Sequence, residues 1–78
     1  MNKQEILEKL APIFSETFEE DIELTPNLSA SDVENWDSLG NIRLFVAIEQ
    51  KFSIQFSTGE IANLKNVGEL VDAILSKY

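Results

Sequence analysis

The sequence predicts an all-α protein: a small four-helix bundle with three longer helices, one short helix and a long loop between the first and second helix. Apolar residues recur at spacings of three and four in three segments, and each segment starts with a residue that commonly caps helices. Only Ile54 and Phe56 alternate with polar neighbours, and two positions do not make a strand. The 78 residues suffice for one small domain, which we expect to span 1–78.

The first helix is predicted over residues 2–18. Asn2 followed by Glu5 resembles a capping box, with Asn in place of Ser or Thr. The apolar stripe of this helix consists of Ile6, Leu7, Leu10, Phe14 and Phe18. Because Pro12 lacks an N–H and its ring clashes with the preceding turn, we expect a kink or a break near residues 8–12.

Residues 19–36 lack helical periodicity over most of their length and are predicted to form a long loop. Leu24, Leu28 and Val33 are spaced like anchors that hold this loop against the core. Residues 31–34 can form a single helical turn. A loop this long in so small a domain is often functional.

Three helices follow the loop. The clearest is predicted over residues 37–52, with Asp37 as its N-cap. A short helix is predicted at about 58–63. The last helix starts with the capping-box-like pair Asn66 and Glu69. Its apolar stripe consists of Val67, Leu70, Val71, Ile74 and Leu75.

The composition excludes several classes of function. The chain contains neither cysteine nor histidine, so we expect no disulfide, no Ser–His or cysteine nucleophile, no metal site and no enzyme. The acidic loop lacks the spaced ligands and central glycine of an EF-hand. No apolar run approaches the roughly 18 residues of a membrane span, and residues 1–5 do not begin a signal peptide. We therefore expect a cytoplasmic protein without a membrane span.

The net charge of −8 is concentrated in one segment. Residues 1–15 and 38–78 each sum to zero, whereas residues 16–37 contain eight acids and no base. These acids are Glu16, Glu19, Glu20, Asp21, Glu23, Asp32, Glu34 and Asp37. Their field disfavours nucleic acid as a partner and favours basic protein surfaces. The same acids also fit a solvated loop that keeps the protein soluble, and the two interpretations are compatible.

The helix after Asp37 has two apolar faces. At about 100° per residue, its expected core face consists of Leu44, Phe45, Ile48 and Phe52. The opposite face holds Leu39, Ile42 and Val46, with Arg43 and Glu49 on its flanks. A helix on the outside of a small bundle needs only one buried stripe, so the second stripe either packs on the long loop or stands exposed as a docking surface. We favour docking.

The motif Trp36-Asp37-Ser38-Leu39 lies where the acidic loop meets this helix. It places the Ser38 hydroxyl at a helix start, where amide N–H groups and the helix dipole favour an attached phosphate. Asp37-Ser38-Leu39 and the positions after it resemble the acyl carrier proteins in order and spacing, over nearly the whole chain. The later matching positions are Leu44, Ala47, Glu49, Phe52, Val67, Leu70, Val71, Asp72 and Ile74.

The resemblance implies that Ser38 carries 4'-phosphopantetheine from coenzyme A, with Asp37 and Leu39 beside it. It implies a carrier that holds acyl intermediates as thioesters in fatty acid, polyketide or other specialised acyl biosynthesis. The implied partners are a phosphopantetheinyl transferase and the enzymes that load and accept the acyl group, and we expect a monomer. The expected partner-facing residues are Leu39, Ile42, Arg43, Val46 and Glu49.

Two other functions stay open. An aminoacyl or peptidyl carrier would use the same prosthetic group, although the Gly-Gly-His-Ser type of motif common in peptidyl carriers is absent. An unmodified acidic adaptor would bind a partner protein through Leu39, Ile42 and Val46, and Ser38 would then be an ordinary first-turn residue.

The chain departs from the family pattern at two positions. Arg43 stands where the family usually has a glutamate, and no carboxylate three or four residues away can pair with it. The reversed charge has two interpretations. Arg43 either weakens binding to enzymes of other pathways, as expected of a specialised carrier, or is merely solvated. Gly40 occupies a position that is often acidic in carriers of fatty acid synthesis. The glycine either allows the arm or a partner's backbone to approach closely, or it has no role.

Three aromatic or apolar positions near the motif have open roles. Trp36 either covers the core beside the loop or lines the path of the arm, and we favour the core. Phe56 and Ile61 are expected in the core or lining a pocket, again with the core preferred.

Overall fold

The computed structural model describes residues 2–77. The helices are α1 (Lys3–Phe18), α2 (Ser38–Phe52), α3 (Thr58–Asn63) and α4 (Val67–Leu75), and the loop between α1 and α2 contains a 3-10 turn at Ala30–Asp32. The predicted all-α bundle is confirmed, and residues 2–77 contain no strand. α1 packs against both α2 and α4. None of the helices in the described part of the chain is long and apolar enough to cross a bilayer.

Each helix begins with a side chain that caps its first turn. The N-cap oxygen accepts a hydrogen bond from the amide N–H three residues later, which satisfies one of the donors that a helix start leaves free. The pairs are Asn2 with Glu5 (2.9 Å), Asp37 with Gly40 (2.8 Å), Ser57 with Glu60 (3.1 Å) and Asn66 with Glu69 (2.9 Å). Because such caps are visible in short sequence patterns, the predicted helix starts agree with the structure.

α1 is continuous through Pro12, so the break that was one of the two outcomes expected near residues 8–12 does not occur. Proline cannot donate the hydrogen bond that the Glu8 carbonyl would accept in a regular helix. Both Pro12 and Glu8 are exposed, so water can satisfy that carbonyl. Leu10 and Phe14, on either side of the proline, are fully buried and hold both halves of α1 against the core.

The core is built from α1, α2, α4 and the segments that connect them. Its buried apolar residues are Ile6, Leu10, Ile13, Phe14, Phe18, Val33, Leu44, Phe45, Ile48, Phe52, Phe56, Val67, Leu70, Val71 and Ile74. All four residues predicted for the core face of α2 are among them. Trp36 packs edge-on against Phe14 with ring centroids 5.2 Å apart, and its centroid lies 6.0 Å from that of Phe18. These three rings close the core next to the loop.

The long loop is fixed to the first turn of α4. The Val67 amide N–H donates to the Leu28 carbonyl and the Gly68 amide N–H donates to the Pro26 carbonyl, both at 2.9 Å. These bonds satisfy two more donors that the start of α4 leaves free. The three predicted anchors contact the core, and Val33 is buried. The path of the loop is therefore set by the last helix as well as by the core.

Apart from Ile22 and Trp36, which also pack against the core, the remainder of the loop is mostly polar and exposed. The turn predicted at residues 31–34 forms one residue earlier, as a 3-10 turn, and the Asp32 carboxylate accepts the Ser29 amide N–H at 3.0 Å. The eight acids of residues 16–37 are all exposed. The segment therefore presents its negative charge to solvent.

Candidate functional site

Ser38 is the first residue of α2, and its side chain is exposed. The Asp37 carboxylate accepts the Gly40 amide N–H at 2.8 Å, and the Asn41 amide N–H donates to the Asp37 carbonyl at 2.8 Å. Within residues 2–77, neither the hydroxyl nor the amide N–H of Ser38 has a hydrogen-bond partner. The start of α2 therefore presents a free hydroxyl beside a free backbone donor.

Gly40 lets the loop approach α2 closely. Gly40 is buried, and a Cβ at this position would overlap the Asn35 carbonyl oxygen and lie 3.0 Å from Cε1 of Phe18. The sequence suggested approach of the arm or a partner at this glycine, or no role at all. The structure corrects this interpretation, because the close neighbour is the protein's own loop just before the motif.

A groove runs beside Ser38 between the start of α2 and α3. This α2–α3 groove has a volume of about 330 Å³, and its lining residues are Ala30, Trp36, Asp37, Ser38, Asn41, Ile61, Ala62, Leu64 and Lys65. One wall comes from the motif and α2, and the other comes from α3 and the link to α4. Ile61 was predicted to lie in the core or to line a pocket. It is half-buried, packs against the core and also lines this groove.

Trp36 serves the core and the groove together. Its rings belong to the aromatic cluster with Phe14 and Phe18, and its side chain also lines the α2–α3 groove. The indole N–H donates to the Asn41 side-chain oxygen at 2.8 Å. Trp36 therefore covers the core, the location favoured from the sequence, and also lines this groove.

The second apolar stripe of α2 is exposed rather than packed on the loop. Leu39, Ile42 and Val46 have relative exposures of 59%, 62% and 49%. Isolated exposed apolar residues are common, but a stripe on one helix face that starts beside Ser38 is typical of an interaction surface. We call Leu39, Ile42 and Val46 the α2 face.

Arg43 lies beside a second groove. This α1–α2 groove has a volume of about 290 Å³ and is lined by Thr17, Phe18, Glu19, Asn35, Asp37, Leu39, Gly40 and Arg43. Arg43 is exposed and forms no ion pair with any other described residue. Its positive charge is therefore available at the edge of the α2 face.

Glu49, on the other flank of the α2 face, has an internal contact. Its carboxylate accepts a hydrogen bond from the Phe56 amide N–H at 2.8 Å. Phe56 is buried and packs edge-on against Phe45, with ring centroids 5.2 Å apart. The expected partner-facing residue thus also supports the segment that leads into α3.

α3 is held by polar contacts together with the half-buried Ile61, since none of its residues is fully buried. Lys77 pairs with Glu60 at 3.0 Å, and its ammonium lies 5.0 Å from the centroid of the Phe56 ring. The Glu60 carboxylate also accepts the Ser57 amide N–H at 2.9 Å. The Ser57 amide, followed by Lys77, lowers the pKa of Glu60 below its ordinary value of 4.5.

The residues around Ser38 fit a covalently attached phosphate group. The hydroxyl is accessible, the helix start provides a free N–H, and an open groove adjoins the side chain. Among residues 2–77 there is no cluster of three or more side chains that would hold a metal ion. Sequence reasoning did not identify Asn41 or Lys65 as part of this site. The position of Asn41 three residues after Ser38, on the same side of the helix, was the available signal.

The fold and the site together define a class of protein, a small helical domain that presents an accessible serine at the first position of its second helix. A family profile described as "Phosphopantetheine attachment site" matches residues 8–74. The chain belongs to the acyl carrier protein family.

Alignments with acyl carrier proteins extend over most of the chain. The acyl carrier protein of Thermosynechococcus vestitus is 35% identical over 78 residues, which cover 99% of this chain and 96% of the relative. The meromycolate extension acyl carrier protein of Mycolicibacterium aurum is 35% identical over 71 residues, covering 90% and 73%. A solution NMR structure of a holo acyl carrier protein from Geobacter metallireducens matches with a TM-score of 0.86 and 44% identity, covering 91% of this chain and 83% of that one.

Family membership confirms the main functional expectations. The chain is an acyl carrier and not a catalyst, and its cofactor is 4'-phosphopantetheine. A phosphopantetheinyl transferase modifies it, and acyl-handling enzymes are its partners. This function is favoured over that of an unmodified adaptor.

Proposed function

We propose that Ser38 is the residue that carries the 4'-phosphopantetheine, with Asp37 and Leu39 on either side of the attachment point. The observation that carries this proposal is the exposed Ser38 hydroxyl at the first position of α2. The N-terminal end of the helix favours the negative charge of a phosphodiester by about 0.3–1 kcal/mol. Asp37 caps the Gly40 amide and so maintains the helix start that presents Ser38.

The attached group supplies a terminal thiol, which holds the acyl cargo as a thioester. The residues of the chain itself position that cargo. The cap at Asp37 and the buried stripe of α2 fix Ser38 on a rigid element. Docking of α2 on an enzyme then raises the effective concentration of the cargo at the enzyme's active site.

We propose that partner enzymes dock on the α2 face, with Arg43 and Glu49 at its edges. The large exposure of Leu39, Ile42 and Val46 supports this role, because these side chains would bury apolar area on binding. The face starts next to Ser38, so an enzyme bound there would lie close to the attachment point. The exposed acids of residues 16–37 would favour basic surfaces on the same partners.

We propose a specialised carrier with its own partners, in fatty acid, polyketide or other acyl biosynthesis. The unpaired charge of Arg43 supports this proposal, because it would repel a basic patch that binds an acidic helix. One relative is named for meromycolate extension, so similar chains can serve a dedicated acyl pathway. We propose that residues 1–78 form one domain that acts as a cytoplasmic monomer.

Intact-mass spectrometry tests the attachment site. After incubation with coenzyme A and a phosphopantetheinyl transferase, the wild-type chain should gain the mass of one arm. Ser38→Ala should gain none, whereas Ser31→Ala, at another exposed serine, should behave like the wild type. An arm on Ser38→Ala, or none on the wild type with several transferases, would contradict the proposal.

A further inference from the structure

Glu19 is an unfavourable residue for the place that it occupies. It ends α1 with a φ of 55°, in the left-handed region that glycine adopts most easily. Its negative charge also stands at the C-terminal end of the helix, where the dipole disfavours anions, and the last turn of α1 contains no basic residue. Glu19 is exposed, and its side chain forms neither a hydrogen bond nor an ion pair with any other described residue. No contact within this part of the chain therefore accounts for a glutamate here.

The α1–α2 groove brings Glu19 together with other unpaired charges. Asp37, Leu39 and Arg43 line the same groove. It thus holds two carboxylates and one guanidinium, and within residues 2–77 none of the three forms an ion pair. Unpaired charges of both signs complement a surface that also carries both signs. Because Leu39 belongs to the α2 face as well, the groove continues the proposed docking surface towards the end of α1.

We propose that the α1–α2 groove selects partner enzymes that present a basic side chain beside a carboxylate. The basic side chain binds Glu19 and Asp37, and the carboxylate binds Arg43 through charge-assisted hydrogen bonds. The inference rests on the proposed docking of partner enzymes on the α2 face, and it defines the chemistry of the matching surface. An enzyme with only basic side chains at this place would repel Arg43 and would leave its guanidinium without a partner in the complex.

Neither a free cation nor a free anion matches the groove as well. A metal ion would meet only the two carboxylates with Arg43 beside them, and the described residues contain no cluster of three or more side chains that would hold a metal. A free phosphate would be attracted by Arg43 but repelled by Glu19 and Asp37. A protein surface that carries both charges pairs with all three groups.

Two glycine substitutions test whether Glu19 serves binding and not the fold. Ser53 is the matched control, because it ends α2 with a φ of 56° and does not line the groove. Glu19→Gly and Ser53→Gly should each raise the unfolding temperature by about 2–5 °C, since both relieve a left-handed backbone. With the arm-bearing carrier and the acyl-loading enzyme from the same organism, Glu19→Gly should lower kcat/KM about tenfold through a higher KM. Ser53→Gly should change kcat/KM by less than about twofold.

Chemical coupling identifies the enzyme group that meets position 43. Arg43→Lys keeps the charge and supplies an amine, which a carbodiimide reagent joins to a carboxylate in contact with it. In the complex with the same enzyme, position 43 should couple to an aspartate or glutamate of the enzyme, and mass spectrometry of the digested product locates the bond. Lys51 is the internal control, because it is an exposed amine of α2 that does not line the groove, and it should stay uncoupled.

Three results would overturn the inference. They are an unchanged kcat/KM in Glu19→Gly, an unfolding temperature of Glu19→Gly below that of the wild type, or no more coupling at position 43 than at Lys51. Ile42→Ser separates this failure from failure of the docking proposal, because Ile42 belongs to the α2 face but does not line the groove. A lower kcat/KM in Ile42→Ser alone would contradict only the inference about the groove. An unchanged kcat/KM in both Ile42→Ser and Glu19→Gly would contradict docking on the α2 face itself.

Discussion

The carboxylate of Glu49 accepts a hydrogen bond from the backbone amide of Phe56 at 2.8 Å, and the Glu49 carbonyl accepts one from the Ile54 amide at 3.3 Å. One residue therefore holds the segment that connects α2 to α3. Glu49 also lies at the edge of the α2 face, so the role in docking that we propose for its charge is separable from the role of its hydrogen-bonding oxygen.

Substitutions at Glu49 should separate these two roles. Glu49→Ala leaves the Phe56 amide without its acceptor and should lower the free energy of unfolding by about 1–3 kcal/mol. Glu49→Gln keeps an acceptor oxygen without the charge and should lose about 1 kcal/mol or less. Urea unfolding of the three proteins measures the difference. Equal stability of Glu49→Ala and the wild type would show that the hydrogen bond contributes nothing.

Gly40→Ala should destabilise the protein, although alanine is normally the better helix residue. The new Cβ would overlap the Asn35 carbonyl oxygen, and relieving that overlap should cost about 1–3 kcal/mol. Gly59→Ala is the control, because a Cβ there meets nothing within 4 Å and should be neutral or stabilising by up to about 1 kcal/mol. Thermal unfolding compares the two variants, and a stabilised Gly40→Ala would refute the close approach.

The contacts of Glu60 with the Ser57 amide and with Lys77 should make stability depend on pH in the acid range. The pKa of Glu60 is lowered in the folded protein, chiefly by the Ser57 amide and then by Lys77. The stabilisation is therefore fully present above the ordinary pKa of 4.5 and is lost as the pH falls through the lower folded-state value. The stability difference between the wild type and Glu60→Gln should shrink below that pH. A pH-independent difference in urea midpoints would contradict this linkage.

Charge reversal at Arg43 should impair partner recognition without affecting the fold. Arg43→Glu should lower kcat/KM of the acyl-loading enzyme from the same organism by about tenfold, because charges at an interface rim mainly control association. Lys51→Glu changes the same charge on an exposed residue of α2 away from the α2 face and should change kcat/KM by less than about twofold. Steady-state kinetics of both variants tests this prediction. Equal changes in kcat/KM for the two variants would show that Arg43 is a solvated residue without a role in recognition.

Ile42→Ser should weaken docking without changing the stability of the fold. Ile42 is 62% exposed, and isoleucine and serine have similar helix propensities, so the free energy of unfolding should change by no more than about 0.5 kcal/mol. The Kd for the phosphopantetheinyl transferase should rise about tenfold through loss of an interface anchor. The buried Ile48→Ala should instead lose about 2–5 kcal/mol of stability. Unchanged affinity in Ile42→Ser, measured by titration calorimetry, would remove Ile42 from the interface.

The starts and faces of the helices could be predicted because their causes are local. Asn2, Asp37 and Asn66 cap the helices that follow them, and the spacing of apolar residues identifies both faces of α2. The exposure of Ser38 follows from its place at a helix start. Of the kink or break expected at Pro12, the break does not occur, because buried residues on either side of the proline let the helix tolerate the lost hydrogen bond.

The remaining features depend on residues that the fold brings together. The sequence around Gly40 does not show that the Asn35 carbonyl lies above it. Nor does spacing along α2 show that Glu49 meets the Phe56 amide, since the contact requires the chain to turn after the helix. The α2–α3 groove likewise requires α3 to be placed opposite Ser38.

α3 forms one wall of that groove and has no buried residue of its own. Of its residues only Ile61 packs against the core. Displacement of α3 would therefore expose little apolar surface, so its opening free energy should lie near the low end for the molecule and its amides should exchange early with deuterium. Salt screens the pair of Lys77 with Glu60, and acid removes the charge of Glu60. The α3 wall should therefore be the part of the groove that responds first to ionic strength and to acid.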